Sequence, residues 1–218
     1  MLQRLTVSHG YAIMARRVTS DERQGDKETR KWIFQSLVPS PQPPGLKDTT
    51  MRAYLDIETT FSGSISMIGI YRPDIGTIQL VGGGVRDVSL YEALEGVYTI
   101  VTFNGSSFDL PVIRKQLYAD LKRDFDHCDL LYICRRQGLR GGLKKVEQLL
   151  GIGRATAGIS GWDAPRLWHR YEANDDRVAL QILLDYNRED VVNLAVLERH
   201  LGLSEETQPC EAVRHVFA

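Results

Sequence analysis

The chain is 218 residues long, 43% hydrophobic and 25% charged, with a formal net charge of −1. That length suits one domain of ordinary size with a substantial core, and the near-neutral charge excludes a global basic field. The cysteines, Cys128, Cys134 and Cys210, form no CxxC pair, which argues against a disulfide framework and a structural zinc site. No apolar run has the length of a signal peptide or a membrane span, so the expected setting is the cytoplasm, without membrane contact.

Residues 1–18 mix apolar and basic groups without a period. Residues 19–31 are dominated by charge, including Asp21, Glu22, Arg23, Lys27 and Glu28, and read as an exposed helix or as disordered. Trp32, Ile33, Phe34, Leu37 and Val38 form an apolar cluster able to pack onto a neighbouring surface. Pro39, Pro41, Pro43 and Pro44 then make a stiff, extended connector. Residues 1–48 are read as an N-terminal extension, 49–204 as the main domain and 205–218 as a C-terminal tail.

The main domain opens on an apolar strand over about 51–58. Strands follow at Ile65–Tyr71 and Thr77–Val81, separated by the Pro73-Asp74-Ile75-Gly76 turn. Gly82-Gly83-Gly84 lacks the Lys-Ser/Thr of a phosphate loop and the spacing of a dinucleotide fingerprint, so it is read as a strand-to-helix joint. Ser89–Leu94 reads as a short helix, Thr99–Phe103 as a buried strand and Phe125–Leu130 as a last short strand. Helical patterns cover 107–119, 130–137, 142–150, 163–172 and 177–201, with Gly138 and Gly151 as stops. The predicted fold is α/β, a sheet of about five strands flanked by helices.

Three stretches carry candidate chemistry. In Tyr54-Leu55-Asp56-Ile57-Glu58-Thr59-Thr60, Asp56 and Glu58 project from the same face of a strand, roughly 7 Å apart. They are either an acidic strand end in water or a pair that needs a counter-charge, because buried charges are expensive alone. In Asn104-Gly105-Ser106-Ser107-Phe108-Asp109, a strand turns sharply into a helix whose first turn holds Asp109, a position favoured by the helix dipole. In Tyr186-Asn187-Arg188-Glu189-Asp190, Tyr186 and Asp190 are four apart and share a helix face. Converging carboxylates repel one another, and hard divalent cations such as Mg²⁺ or Mn²⁺ relieve that conflict.

In their order and separations these stretches resemble the three motifs of the DEDD superfamily of 3′–5′ exonucleases, in the tyrosine-bearing branch. Asp56-Ile57-Glu58 matches the first motif, Asn104-Gly-x-x-Phe108-Asp109 the second, as also seen in proofreading domains of family B DNA polymerases, and Tyr186-x-x-x-Asp190 the third. His127-Cys128-Asp129-Leu130 and Leu143–Gly151 extend the resemblance to the YprB-like ribonuclease H-like family, over about 50–200. The resemblance implies a ribonuclease H-like fold and a 3′–5′ exonuclease working on single-stranded DNA or RNA ends through two divalent ions, Mg²⁺ or Mn²⁺. It implies that Asp56 bridges both ions, that Glu58 and Asp190 complete the first site and that Asp109 holds the second. Tyr186 would place the attacking water, and Asn104 would bond substrate or a neighbouring ligand. A structure-specific endonuclease and a nucleic-acid-binding module with little turnover are the alternatives.

Other residues keep two readings. Thr59 and Thr60 bond a terminal nucleotide or simply suit a strand end, and Phe108 stacks on a base or packs in the core. Asp129 is a helix cap or an acid that supports the site from behind, and Trp162, Trp168 and Tyr171 are core or base-stacking platforms, with the cap and the core as the preferred readings. Basic residues outnumber acids between 111 and 170, among them Arg114, Lys115, Lys122, Arg123, Lys144 and Arg154, as a phosphate-tracking rim or a solvated face. The sequence assigns no role to the N-terminal extension; a further reading has a protein partner contact it and choose the substrate.

Overall fold

The computed structural model describes residues 51–156, 158–203 and 212–217. The reading of 1–48 lies outside the described residues, as does most of the 205–218 tail.

The apolar Tyr54, Leu55 and Ile57 set the first strand, β1 (Arg52–Thr59), at the centre of the sheet. It runs antiparallel to β2 (Ile65–Arg72), which in turn pairs antiparallel with β3 (Gly76–Val81). After α1 (Asp87–Ala93), β4 (Thr99–Thr102) returns on the other side of β1 and runs parallel to it. Then come α2 (Asp109–Leu117), α3 (Leu121–Asp124) and β5 (Asp126–Asp129), which pairs parallel with β4. The chain continues as α4 (Leu130–Arg136), α5 (Leu143–Leu150), α6 (Ala164–Asn174) and α7 (Arg177–His200). A sixth strand, β6 (Val213–Val216), pairs parallel with β3 and completes the order β5-β4-β1-β2-β3-β6.

Strand alternation sorts the two faces of the sheet. Leu55, Ile57, Ile68, Ile70, Leu80 and Ile100 pack against Leu90 of α1 and Leu110 and Ile113 of α2. Tyr54, Tyr71 and Val101 face Leu130 of α4 and Val191 and Leu194 of α7. Met67 and Val81 face Trp168 of α6 and Leu180, Leu183 and Leu184 of α7. Each such Leu or Ile contributes about 1.5–3 kcal/mol of burial. Tyr54 lies on the α7 side, so Asp56 and Glu58, two and four residues on, face α7 as well.

The helix of 24 residues that receives them is capped by Asp176, whose carboxylate accepts from the Ala179 amide at 3.0 Å. Glu198, near its other end, accepts from Tyr54 at 2.8 Å and from Arg52 at 2.6 Å, pinning α7 across β1.

The sixth strand departs from the expected five. Val213-Arg214-His215-Val216 shows little apolar pattern and is largely exposed, so its pairing comes from the backbone groups of β3. The Thr77 amide donates to the Ala212 carbonyl at 2.7 Å. The glycine joint, a 3₁₀ turn over Gly82–Gly84, makes room for this strand: a Cβ on Gly84 would lie 2.1 Å from the Val216 carbonyl oxygen. Two aromatic expectations also change. Trp162 is 85% exposed, because it precedes the start of α6 and so misses that helix's apolar stripe. Phe108, just ahead of α2, is 45% exposed rather than in the core, whereas Trp168 is buried as expected.

Candidate metal centre

The register of β1 against β2 places Asp56 opposite Gly69 and Glu58 opposite Met67, with a bulge between Glu58 and Thr59. Bulges bend a strand and re-aim its side chains, and this one ends regular pairing just beyond the acids. Asp190 comes from the middle of α7. One carboxylate oxygen from each of Asp56, Glu58 and Asp190 lies within 4.8 Å of the others. Asp109 joins from the first turn of α2, where its Oδ1 accepts from the Ile57 amide at 3.1 Å, between the two strand acids. The structure thus brings together all four acids read from the sequence. Tyr186 lies one turn before Asp190 on α7, is buried, and holds its hydroxyl beside the Asp190 carboxylate.

The electrostatics follow from that crowding. Burial, then the neighbouring Asp109, Glu58 and Asp190, raises the Asp56 carboxyl well above the usual range. Burial and the nearby Asp190 and Asp109 do the same to Glu58. Asp109 is pushed up to about 7, chiefly by burial and against the pull of the Ile57 amide. Burial also raises Asp190, while Arg154 and Lys144 oppose the rise. The Tyr186 phenol is raised by burial and by Asp190, Glu58 and Asp56, which keeps it protonated.

Asn187 and Gln79, to which the sequence gives no role, also serve the acids, as do Arg154 and Lys144, which it reads as a phosphate-tracking rim or a solvated face. Asn187 donates through Nδ2 to Asp56 Oδ2 at 3.3 Å, and its Oδ1 accepts from Gln79 Nε2 at 3.0 Å. Gln79 Nε2 is also 2.9 Å from the Leu184 carbonyl, so the amide chain Gln79–Asn187–Asp56 has a fixed polarity. Gly69 makes this possible, since a Cβ there would lie 2.1 Å from Asn187 Oδ1. Arg154, from the segment between α5 and α6, forms ion pairs with Asp190, with Glu147 at 3.0 Å and with Glu189 at 3.4 Å. Glu189 in turn holds that segment through the Ala155 amide at 2.5 Å and the Thr156 amide at 3.0 Å. Lys144 Nζ lies 4.2 Å from the centre of the Tyr186 ring and donates to the Ile159 carbonyl. The sequence signal for Asn187 and Glu147 was a polar residue at a core position of an apolar stripe.

The remaining candidates sit around the rim. Thr59 is half-buried at the end of β1. Asn104 is exposed and has φ 68, a left-handed conformation that Asn tolerates well. Its amide donates to Asp129 Oδ1 at 2.7 Å, and Asp129 Oδ2 accepts from Ser106 N at 3.0 Å. Asp129 also caps α4 through the Leu131 amide at 3.1 Å, as its reading required. Among the described residues, the Asn104 side chain makes no hydrogen bond to the four acids, so its visible part is to turn the chain. His127 bonds Thr102 Oγ1 at 2.9 Å and lies 3.5 Å from Ser106 Oγ, which makes it a brace for the same turn.

A mixed six-stranded sheet flanked by helices, with carboxylates gathered at the end of its central strand, defines a ribonuclease H-like protein. Residues 53–202 match the sequence profile RNase_H_2 of the RNase H superfamily, and the chain belongs to that family. Among solved structures, the family B DNA polymerase from the hyperthermophilic archaeon Pyrobaculum calidifontis superposes with a TM-score of 0.55 at 16% identity. The match covers 73% of this chain and 25% of the polymerase, so the likeness is one of fold and spans about a quarter of that protein. A search among curated proteins found no match. Among the described residues, no helix is long and apolar enough to cross a membrane.

Proposed function

We propose that this chain is a metal-dependent 3′–5′ exonuclease of the tyrosine-bearing DEDD branch, in its YprB-like group. The observation that carries the reading is the cluster of half-buried Asp56 with buried Glu58 and Asp190, with oxygens within 4.8 Å, joined by Asp109 and flanked by Tyr186. Among the described residues, no cationic side chain forms an ion pair with Asp56 or Glu58, while Asp190 has Arg154. A set of hard carboxylate oxygens, crowded and short of counter-charge, fits Mg²⁺ or Mn²⁺.

Asp56, Glu58 and Asp190 would hold one ion, and Asp56 and Asp109 a second. Two such ions supply an activated water and stabilise the leaving oxygen of a phosphodiester. The chain's own residues do the rest. Asn187 holds one oxygen of Asp56 and leaves the other for the site. The protonated Tyr186 hydroxyl is available to orient the attacking water beside Asp190. Thr59, which follows Glu58, and Phe108, which precedes Asp109, contact the terminal nucleotide, and the Asn104 turn, whose carbonyl accepts from the Phe108 amide at 3.2 Å, positions Phe108. The substrate is a single-stranded DNA or RNA 3′ end. Residues 1–48 form an extension for a protein partner, and an odd cysteine count without CxxC spacing suits the cytoplasm.

The test is degradation of 5′-labelled single-stranded DNA and RNA with Mg²⁺, Mn²⁺ or EDTA, with Asp56→Ala alongside. The expected result is a metal-dependent ladder shortening from the 3′ end and absent in the variant. Failure to shorten either strand with either metal would overturn the exonuclease reading.

A further inference from the structure

We propose that the groove between α2 and α3 is a second nucleic-acid contact, holding the phosphates of a single strand with a base stacked on Tyr118. The proposal rests on the nuclease reading above, and adds to it a substrate site away from the four acids. The groove has a volume of about 710 Å³ and is lined by Arg114, Lys115, Tyr118, Asp120, Lys122 and Arg123. Arg114 and Lys115 line it from the last turns of α2, and Tyr118 from the residue that ends that helix.

Of the many basic residues in this half of the chain, these four gather in one place. Asp120 holds Arg114 at 3.2 Å and Asp124 holds Arg123 at 2.7 Å, fixing the two guanidiniums along the rim. Among the described residues, Lys115 and Lys122 have no carboxylate partner, so their charge is available to phosphate. Lys122 Nζ donates instead to the Ser106 carbonyl at 2.8 Å, which ties the groove to the turn that leads into Asp109. An adjoining hollow of about 320 Å³ shares Lys122 and Arg123 and exposes Tyr98, extending the same surface. The length of α2, nine residues or roughly 13 Å, separates Tyr118 from the first turn that carries Asp109. That is a span of a few nucleotides.

Tyr118 distinguishes this groove from an ordinary solvated face. It ends α2 in the left-handed region, at φ 57 and ψ 17, where Gly or Asn is favoured and a bulky side chain is an outlier. It is also 90% exposed, so it gains nothing from packing. An aromatic ring held at a conformational cost, bare to solvent and surrounded by cations, has the composition of a platform for a single strand, where bases stack and the backbone meets positive charge.

The two roles can be separated. Tyr118→Gly removes the ring and relieves the backbone, so its melting temperature should equal or exceed that of the parent. Lys115→Ser removes one phosphate contact from a surface helix position. The full chain is titrated in EDTA against 5′-labelled 12-mers of DNA and RNA by fluorescence anisotropy, over a range of salt. Each variant should weaken 12-mer binding about ten-fold, and Lys115→Ser should flatten the salt slope by about 0.7. In Mn²⁺ each should raise KM for a 12-mer while leaving that for a trinucleotide unchanged. If the parent binds the 12-mers and both variants match its affinity and salt slope, the groove is not a strand site and the nuclease reading stands. A parent that neither binds nor shortens any strand would remove both.

Discussion

Asn187 is a polar residue in a stripe otherwise made of Leu180, Leu183, Leu184, Val191 and Leu194, and it is fully buried. A buried amide must be hydrogen-bonded, and here both ends of it are, to Gln79 and to Asp56. Its donor steadies the charged form of Asp56 against burial and three neighbouring acids. Asn187→Ala should therefore destabilise the protein by about 1–3 kcal/mol and weaken divalent-metal binding by roughly ten-fold or more. Urea melts and calorimetric titration with Mn²⁺ would measure the two effects. Gly69→Ala tests the same contact from the opposite strand: its Cβ would meet Asn187 Oδ1 at 2.1 Å, so it should reproduce both losses without touching an acid. Tyr186→Phe makes the complementary prediction. Its ring stays packed under Lys144, so stability should hardly move, while the rate of end shortening should fall about a hundred-fold. Single-turnover cleavage would read this directly, and an unchanged rate would remove the phenol from the chemistry.

At the scale of elements, the strands and helices that carry the acids were legible because each has a strong local pattern: an apolar strand with alternating acids, a strand–turn–helix with Asn-Gly, and a long periodic helix. What local pattern does not encode is pairing across the sheet. Strand β6 is an exposed edge whose partner is the backbone of β3, so neither Val213 nor Val216 announces it. Arg154 sits in an irregular segment, and its three carboxylate partners come from α5 and α7, a convergence visible only after folding. Asp129 lies between these cases. As a cap on α4 it was readable, but its second task, clipping the 104–106 turn, depends on β5 lying beside β4. Asp129→Ala would leave the Asn104 and Ser106 amides without an acceptor and remove the α4 cap, an expected loss of about 2–4 kcal/mol. Because the same turn sets the start of α2, Asp109 should lose its register against Ile57, and cleavage should fall alongside stability. Asp129→Asn retains one acceptor oxygen and should recover part of both. Full activity in a destabilised Asp129→Ala protein would show that the turn does not position Asp109.

For the whole molecule, the acid cluster makes stability a function of pH and of metal together. Asp109 has an ordinary unfolded-state value near 3.9 and is raised to about 7 in the fold. Asp56, Glu58 and Asp190 are raised in the same direction, each with burial as the first cause. Between the two values the native state holds protons that the unfolded chain has released. Stability of the metal-free protein must then fall as pH rises from about 4 toward 7, and stay lower above that. His127 and His215, both lowered by burial, contribute with the opposite sign near pH 6; they are two groups set against these four and Glu147, which burial also raises. Divalent ions reverse the trend, since ligands must be deprotonated to bind them and binding to the folded state stabilises it. Melting temperature in EDTA should decline between pH 5 and 8, while the increase produced by saturating Mn²⁺ should grow over the same range. Asp56→Asn removes one charge from the cluster, so it should flatten the EDTA profile, raise metal-free stability at pH 8 by about 0.5–2 kcal/mol and abolish most of the Mn²⁺ response. A metal-free profile that rises through this window, or a Mn²⁺ shift that shrinks with pH, would mean that the four carboxylates do not share one site in solution.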